Sequence, residues 1–251
     1  MFFKAVSLAK TINNPIMTET NYGQTESRLS GKMKAAELVD RDINILGVFS
    51  RMGIPLRLGD STIEELCRKY NVDTATFLLV CNIYIQEDYL PSDQELSQIK
   101  MNGILSYLRL SHKYYLTSAI SSLASMLETL MEPCGESQRK VIRQFYNEYK
   151  RELEKHFEYE ETNIFPLAEA LASGKKLSGD IFDQLEDDHS NIEEKIHDLK
   201  SIVTKYLPSE CKEEMITVTL LMIHYLENDL ERHTAIEDTV LLPMMSKANG
   251  E

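Results

Sequence analysis

Four stretches of the chain repeat apolar residues at alternating steps of three and four, the spacing that lines one face of an α-helix. They run over 101–131, 136–173, 179–206 and 210–246, separated by Pro133-Cys134-Gly135, Ser173-Gly174-Lys175 and Leu207-Pro208-Ser209. The third stripe reads Leu185, His189, Ile192, Ile196, Leu199, Val203, Tyr206; the fourth reads Met215, Thr219, Met222, Leu226, Asp229, His233, Ile236, Val240. Breaks this short leave consecutive helices antiparallel. The pattern therefore predicts an all-α fold, an antiparallel up-down four-helix bundle over 101–247.

A small helical module over 32–85 is predicted ahead of the bundle. Ala35–Arg51 carries helical apolar spacing at Leu38, Ile43, Leu46 and Phe49, and Gly53 is a stop. Ser61-Thr62-Ile63-Glu64 has the spacing of a capping box and opens a helix to about Tyr70, and Asp73 caps another through Tyr84. Residues 86–100 are polar, hold Pro91 and read as a linker, while 1–31 lack any period and read as a flexible tail.

Composition narrows the function classes. With 43% apolar and 27% charged residues but only 10 Gly and 7 Pro in 251, the chain has the material for a real helical core. A net charge of −13 repels phosphate backbones and anionic lipid, so neither nucleic acid nor a membrane surface is an expected partner. The opening apolar residues meet polar ones by Lys10, too soon for a signal peptide or a membrane span. Cys67, Cys81, Cys134 and Cys211 form no Cys-x-x-Cys pair, which fits a reducing cytoplasm.

The candidate chemistry comes from an internal repeat. His112 and His189, His156 and His233, Glu160 and Glu237, and Pro166 and Pro243 are each 77 residues apart. The run His156–Pro166 aligns without gaps on His233–Pro243, so the bundle is two copies of one helical hairpin. His112 and His156 lie 22 residues either side of Cys134, and His189 and His233 flank Cys211 by the same counts. Equal arms bring all four histidines to one height, about 33 Å from the turns at the α-helical rise.

A lone histidine on an apolar stripe is usually a hydrogen-bonded core residue, but four converging ones are not. Glu160 and Glu237 follow His156 and His233 by four residues, on the same helix face. Burying two carboxylates without a cation costs several kcal/mol each. The expected metal ligands are thus His112, His156, Glu160, His189, His233 and Glu237. Imidazole with hard carboxylate and no thiolate points to iron or manganese, and six ligands suit two ions. If both glutamates bridge, an oxo or hydroxo bridge completes the site and a position stays open for a small molecule. Glu152 and Asp229, one turn before His156 and His233, are candidates to orient imidazole N–H groups, with Asp188 and Glu193 beside His189 as further candidates. His197 and His224 fall off the stripes and read as surface residues. Since every proposed ligand lies between His112 and Glu237, the bundle from about Lys100 is expected to hold the metal without the module.

At these residues the chain resembles the hemerythrin-like family, whose hairpins carry His, then His-x-x-x-Glu, twice over. Ferritin-like bundles use Glu-x-x-His instead. Oxygen-carrying hemerythrins have a fifth histidine where this chain has Glu193, and an acid at the position of Asp238. Four His with two Glu behind a small helical module is similar to the bacterial iron–sulfur cluster repair di-iron proteins. Their adjacent cysteines are absent here, where the matching stretch reads Gly53-Ile54-Pro55-Leu56-Arg57-Leu58-Gly59. The resemblance implies two iron ions, in preference to manganese, and reaction with NO or O2. It also implies damaged iron–sulfur proteins as partners under nitrosative or oxidative stress, and admits a homodimer. A reversible O2 or NO carrier or sensor and a di-iron NO or peroxide reductase are the alternatives, so turnover is left open.

Overall fold

The computed structural model describes residues 29–86, 88–176 and 186–250, with side chains for all of these except 186–191 and 193. Every named element among them is helical. The first hairpin pairs α6 (Met101–Tyr114) and α7 (Ile120–Leu130) with α8 (Glu136–Tyr159) and α9 (Phe165–Ala172). The second pairs α10 (Glu186–Lys205) with α11 (Glu213–Ile236) and α12 (Leu242–Asn249). Contacts of α6 with α9, α7 with α8, α7 with α11 and α10 with both α8 and α11 close an antiparallel bundle. Among the described residues no helix is long and apolar enough to cross a membrane.

Among the described residues, three wide π-turns interrupt the long helices: π1 (Tyr115–Ala119), π2 (Glu160–Ile164) and π3 (Glu237–Leu241). Two of them begin at the repeated glutamates. Pro166 and Pro243 have no N–H for the Thr162 and Thr239 carbonyls. The helix passes this gap by widening, with Phe165 N–H donating to Glu160 O and Leu242 N–H to Glu237 O, five residues back. The repeated prolines thus neither end nor break the helices.

Ahead of the bundle lie α1 (Ala35–Arg41), α2 (Ile45–Arg51), α3 (Ile63–Lys69), α4 (Thr74–Ile85) and α5 (Asp93–Leu96). Where one helix was expected over 35–51 there are two. Asp42 Oδ1 accepts from Asn44 N–H at 2.8 Å, and this competing side-chain bond turns the chain between them, leaving Ile43 exposed. The capping box sits one residue later than expected, with Thr62 and Glu65 as its partners. Within the expected linker, Ser92 and Glu95 form a second capping box on α5, and Leu96 and Ile99 are buried. Of the expected tail, residues 1–28 lie outside the described ones. Leu29 packs into the core, and Gly31 O accepts from Glu64 N–H at 2.9 Å. Tyr206, placed on the third stripe, is 69% exposed because α10 has already ended at Lys205.

Among the described residues the core is split in two. One apolar cluster joins Leu38, Phe49, Phe77 and Val80 to Ile104, Leu108, Phe165, Leu171, Val240 and Met245, so the first four helices and one end of the bundle share a single interior. The other fills the far end of the bundle, around Leu123, Leu127, Tyr149, Leu153, Ile196, Leu199 and Leu226. Along each bundle helix with a described ligand side chain, the polar residues of the repeat fall between these clusters.

Candidate metal centre

Between the two cores the helices bring His112, Glu160, His233 and Glu237 together, with one ligand atom from each lying within 4.8 Å of the others. His112 is on α6, His233 on α11, and the glutamates open π2 and π3. Glu160 and Glu237 are 1% and 3% exposed. His156 joins them, its Nε2 being 3.4 Å from Glu160 Oε2. His112 Nε2 lies 3.1 Å from His233 Nε2 and 3.2 Å from Glu160 Oε2, and His233 Nε2 lies 3.2 Å from Glu237 Oε1. The side chain of His189 lies outside the described residues, as do those of Asp188 and Glu193. His197 and His224 are exposed, as their phase requires.

Aromatic rings wall the cluster. His112 stacks on Phe157 at 4.1 Å and on Phe165 at 5.3 Å between centroids, while Tyr115 meets His233 edge-on at 5.5 Å. Burial in this setting, with His233 and His156 close by, pushes His112 down to about 2, so its imidazole is neutral. A neutral imidazole is the form that ligates metal.

The protonation pattern then tests whether a cation fits. His112 Nδ1 faces Glu161 Oε1 at 3.0 Å, and a carboxylate can only accept, so the ring proton sits on Nδ1. That points the Nε2 lone pair of His112 into the cluster, 3.2 Å from Glu160 Oε2 and 3.1 Å from His233 Nε2. A metal ion would accept such inward-pointing lone pairs and supply the charge that two buried carboxylates need. The residues present fit such a group.

The sequence reading missed Glu161. It is half-buried and itself held by Arg109, whose Nε donates to Glu161 Oε2 at 3.1 Å while its Nη1 donates to Glu169 at 2.6 Å. The repeat contains the signal, because Asp238 stands 77 residues after Glu161. Of the acids expected to orient imidazoles, Glu152 pairs instead with Arg151 at 3.6 Å and Lys155 at 4.0 Å on the helix surface. Asp229 is buried, but its carboxylate turns towards α2 and α4. Arg51 Nη2 donates to Asp229 Oδ2, and Tyr84 OH donates to Oδ1 at 2.8 Å. Arg51 Nη1 also donates to Tyr84 at 2.7 Å and Tyr107 at 3.2 Å, and its guanidinium lies 4.7 Å over the Tyr114 ring. Tyr115 OH donates to the Asp229 carbonyl at 3.1 Å and so links this network to the ring beside His233. An arginine at the end of an apolar stripe reads as solvated, and only the packing of α2 on the bundle shows it buried.

The comparisons agree with the geometry. Over 206 residues, 79% of this chain and 91% of the relative, the sequence is 21% identical to "Iron-sulfur cluster repair protein ScdA" of Staphylococcus haemolyticus (strain JCSC1435). Residues 104–245 match the family described as "Hemerythrin HHE cation binding domain". With that match spanning more than half of the chain and a buried His/Glu cluster at its centre, the protein belongs to the hemerythrin HHE cation-binding family.

Proposed function

We propose that this chain holds two iron ions between His112, His156, Glu160, His189, His233 and Glu237 and uses them to protect or repair iron–sulfur centres under nitrosative or oxidative stress. The observation that carries this reading is the buried cluster of two imidazoles and two carboxylates, set in a chain similar over most of its length to a protein named for cluster repair. Iron held there supplies one-electron chemistry and a coordination position for NO or O2.

The chain's own residues define the rest. Glu161 fixes the His112 tautomer and aims Nε2 inward. Phe157, Phe165 and Tyr115 keep water from the cluster, which strengthens each charge–charge contact inside it. Four free cysteines fit the reducing cytoplasm we assign to it.

The test combines metal analysis with repair. The as-isolated protein should carry about two irons per chain and restore activity to an iron–sulfur enzyme damaged by NO. His112→Ala should lose at least one ion, whereas His197→Ala should keep both. One zinc and no iron, or equal loss from both substitutions, would overturn the proposal.

A second reading, a gas sensor, draws on the Arg51–Asp229 contact. It joins α2 directly to the helix that carries His233, a physical route from the metal layer to the N-terminal helices. Stoichiometric reversible NO binding without restoration of the damaged enzyme would favour it.

A further inference from the structure

Cys134 and Cys211 are equivalent positions of the repeat, 77 residues apart, and each sits in the non-helical turn of its own hairpin. The fold brings these turns together. The two Sγ atoms lie 3.7 Å apart, and the residues are 4% and 5% exposed among Leu127, Leu130, Met131 and Ile142. Cys211 Sγ donates to the Leu130 carbonyl at 3.5 Å, so its sulfur is left to accept from the Cys134 thiol.

Two thiols in van der Waals contact stand one bond short of a disulfide. A sulfur–sulfur bond of about 2.05 Å requires an approach of about 1.7 Å from the observed separation. Both residues lie between helices, so turn backbone rather than a hydrogen-bonded helix would supply the movement. The metal layer is about 33 Å away along the helices, so the pair is separate from the metal centre.

We propose that Cys134 and Cys211 are a modification site, a redox-active dithiol that takes a small peroxide as oxidant and closes to a disulfide joining the two hairpins. The Cys134 thiolate attacks one oxygen of hydrogen peroxide, the O–O bond breaks, and the departing hydroxide takes a proton to become water. The Cys211 thiolate then attacks the resulting sulfenic sulfur, the S–O bond breaks, and the departing hydroxide takes a proton to leave as a second water, the two protons being those the thiols gave up. Two electrons pass from the sulfur pair to the peroxide, and two thiols plus one peroxide become one disulfide plus two waters. Burial holds the Cys211 thiol up to about 11, which lowers its thiolate fraction, so its attack rests on the 3.7 Å approach to Cys134 rather than on acidity. The bond would close a 77-residue span and tie the two copies of the repeat together at the end remote from the histidines.

The full-length chain is reduced, desalted, treated with hydrogen peroxide, and labelled with N-ethylmaleimide in denaturant. Peptides are then mapped without reduction. The expected product is a Cys134–Cys211 linked peptide within one chain, lighter than its parts by two hydrogens, with Cys67 and Cys81 labelled. The Cys67→Ser/Cys81→Ser chain should form the same link. The Cys211→Ser chain, checked for folding by circular dichroism, should form none and should accumulate a Cys134 sulfenic acid that a dimedone probe traps. Should Cys211→Ser fail to fold, mapping of the unaltered chain decides alone. Recovery of both thiols as labelled cysteines after peroxide, or links that scramble among all four residues or between chains, would overturn the proposal.

Discussion

Replacing Arg51 by Met keeps much of the side-chain volume but removes the cation from a buried network. Asp229, 2% exposed, is then left with Tyr84 as its main side-chain donor. Removing one partner of a buried ion pair costs about 3–5 kcal/mol, most of it the penalty of the stranded charge. The two tyrosine hydroxyls that accept from Arg51, Tyr84 and Tyr107, lose that bond as well. We therefore expect Arg51→Met to lower the stability of the metal-free chain by about 3–5 kcal/mol at neutral pH. Urea unfolding followed by circular dichroism should show a lower midpoint at an unchanged slope. The second arm removes the charge from both sides. Arg51→Met with Asp229→Leu should recover most of the loss, since apolar groups of similar volume often replace a buried pair at little cost. A single-variant loss below about 1 kcal/mol, within the range of exposed pairs, would refute the reasoning. So would a double variant no more stable than the single one.

Three further outcomes follow from the same structure. Against the expectation from ligand spacing alone, a chain beginning at Lys100 exposes Ile104 and Leu108 and strips Asp229 of Arg51, so it should unfold at lower urea and carry less metal than the whole protein; equal stability and metal content would show the two parts to be independent. Glu161→Ala frees the His112 ring and should weaken metal binding by about 10- to 100-fold, measured by competition with a chelator, and unchanged affinity would remove Glu161 from the site. The folded chain keeps His112 neutral down to about pH 2, whereas an unfolded histidine takes its proton near pH 6.5. The unfolded state holds the extra proton throughout that window, so metal-free stability should fall as pH drops below about 6.5, by up to about 1.4 kcal/mol per unit from this group. It should be insensitive to this group above that pH. Urea titrations at several pH values in the native chain and in His112→Gln check this, and identical slopes in the two would contradict it.

Much of the bundle was legible because duplication prints the same landmarks twice. The 77-residue offset places imidazole and carboxylate at matching heights without any knowledge of tertiary contacts, and the structure gathers His112, Glu160, His233 and Glu237 there. Periodicity failed where local hydrogen bonds compete with it, as at Asp42, whose carboxylate ends α1 although the apolar spacing runs on. It also failed where burial depends on a distant element. Arg51 and Asp229 are 178 residues apart, and no one-helix pattern distinguishes a charge that meets its partner from one that meets water. Glu161 lay within reach of the repeat argument. Its partner His112 is on another helix, so the pattern of a single helix does not mark it.

The π-turns make chain length, rather than residue identity, the sensitive quantity just past each glutamate. Thr162 is exposed, and its hydroxyl bonds only to its own helix, so many side chains could stand there. Its presence as a spacer is another matter. One residue advances an α-helix by about 100°, and the extra residue of π2 offsets the phase between Glu160 and everything after it. A deletion at Thr162 would invite an ordinary α-turn, bring Pro166 under a carbonyl that it cannot satisfy, and swing Phe165, Ala168 and Leu171 about a quarter-turn off the core they fill. Five-residue turns here hold two helical phases in step, so frame within the helix is what each copy of the repeat has to preserve.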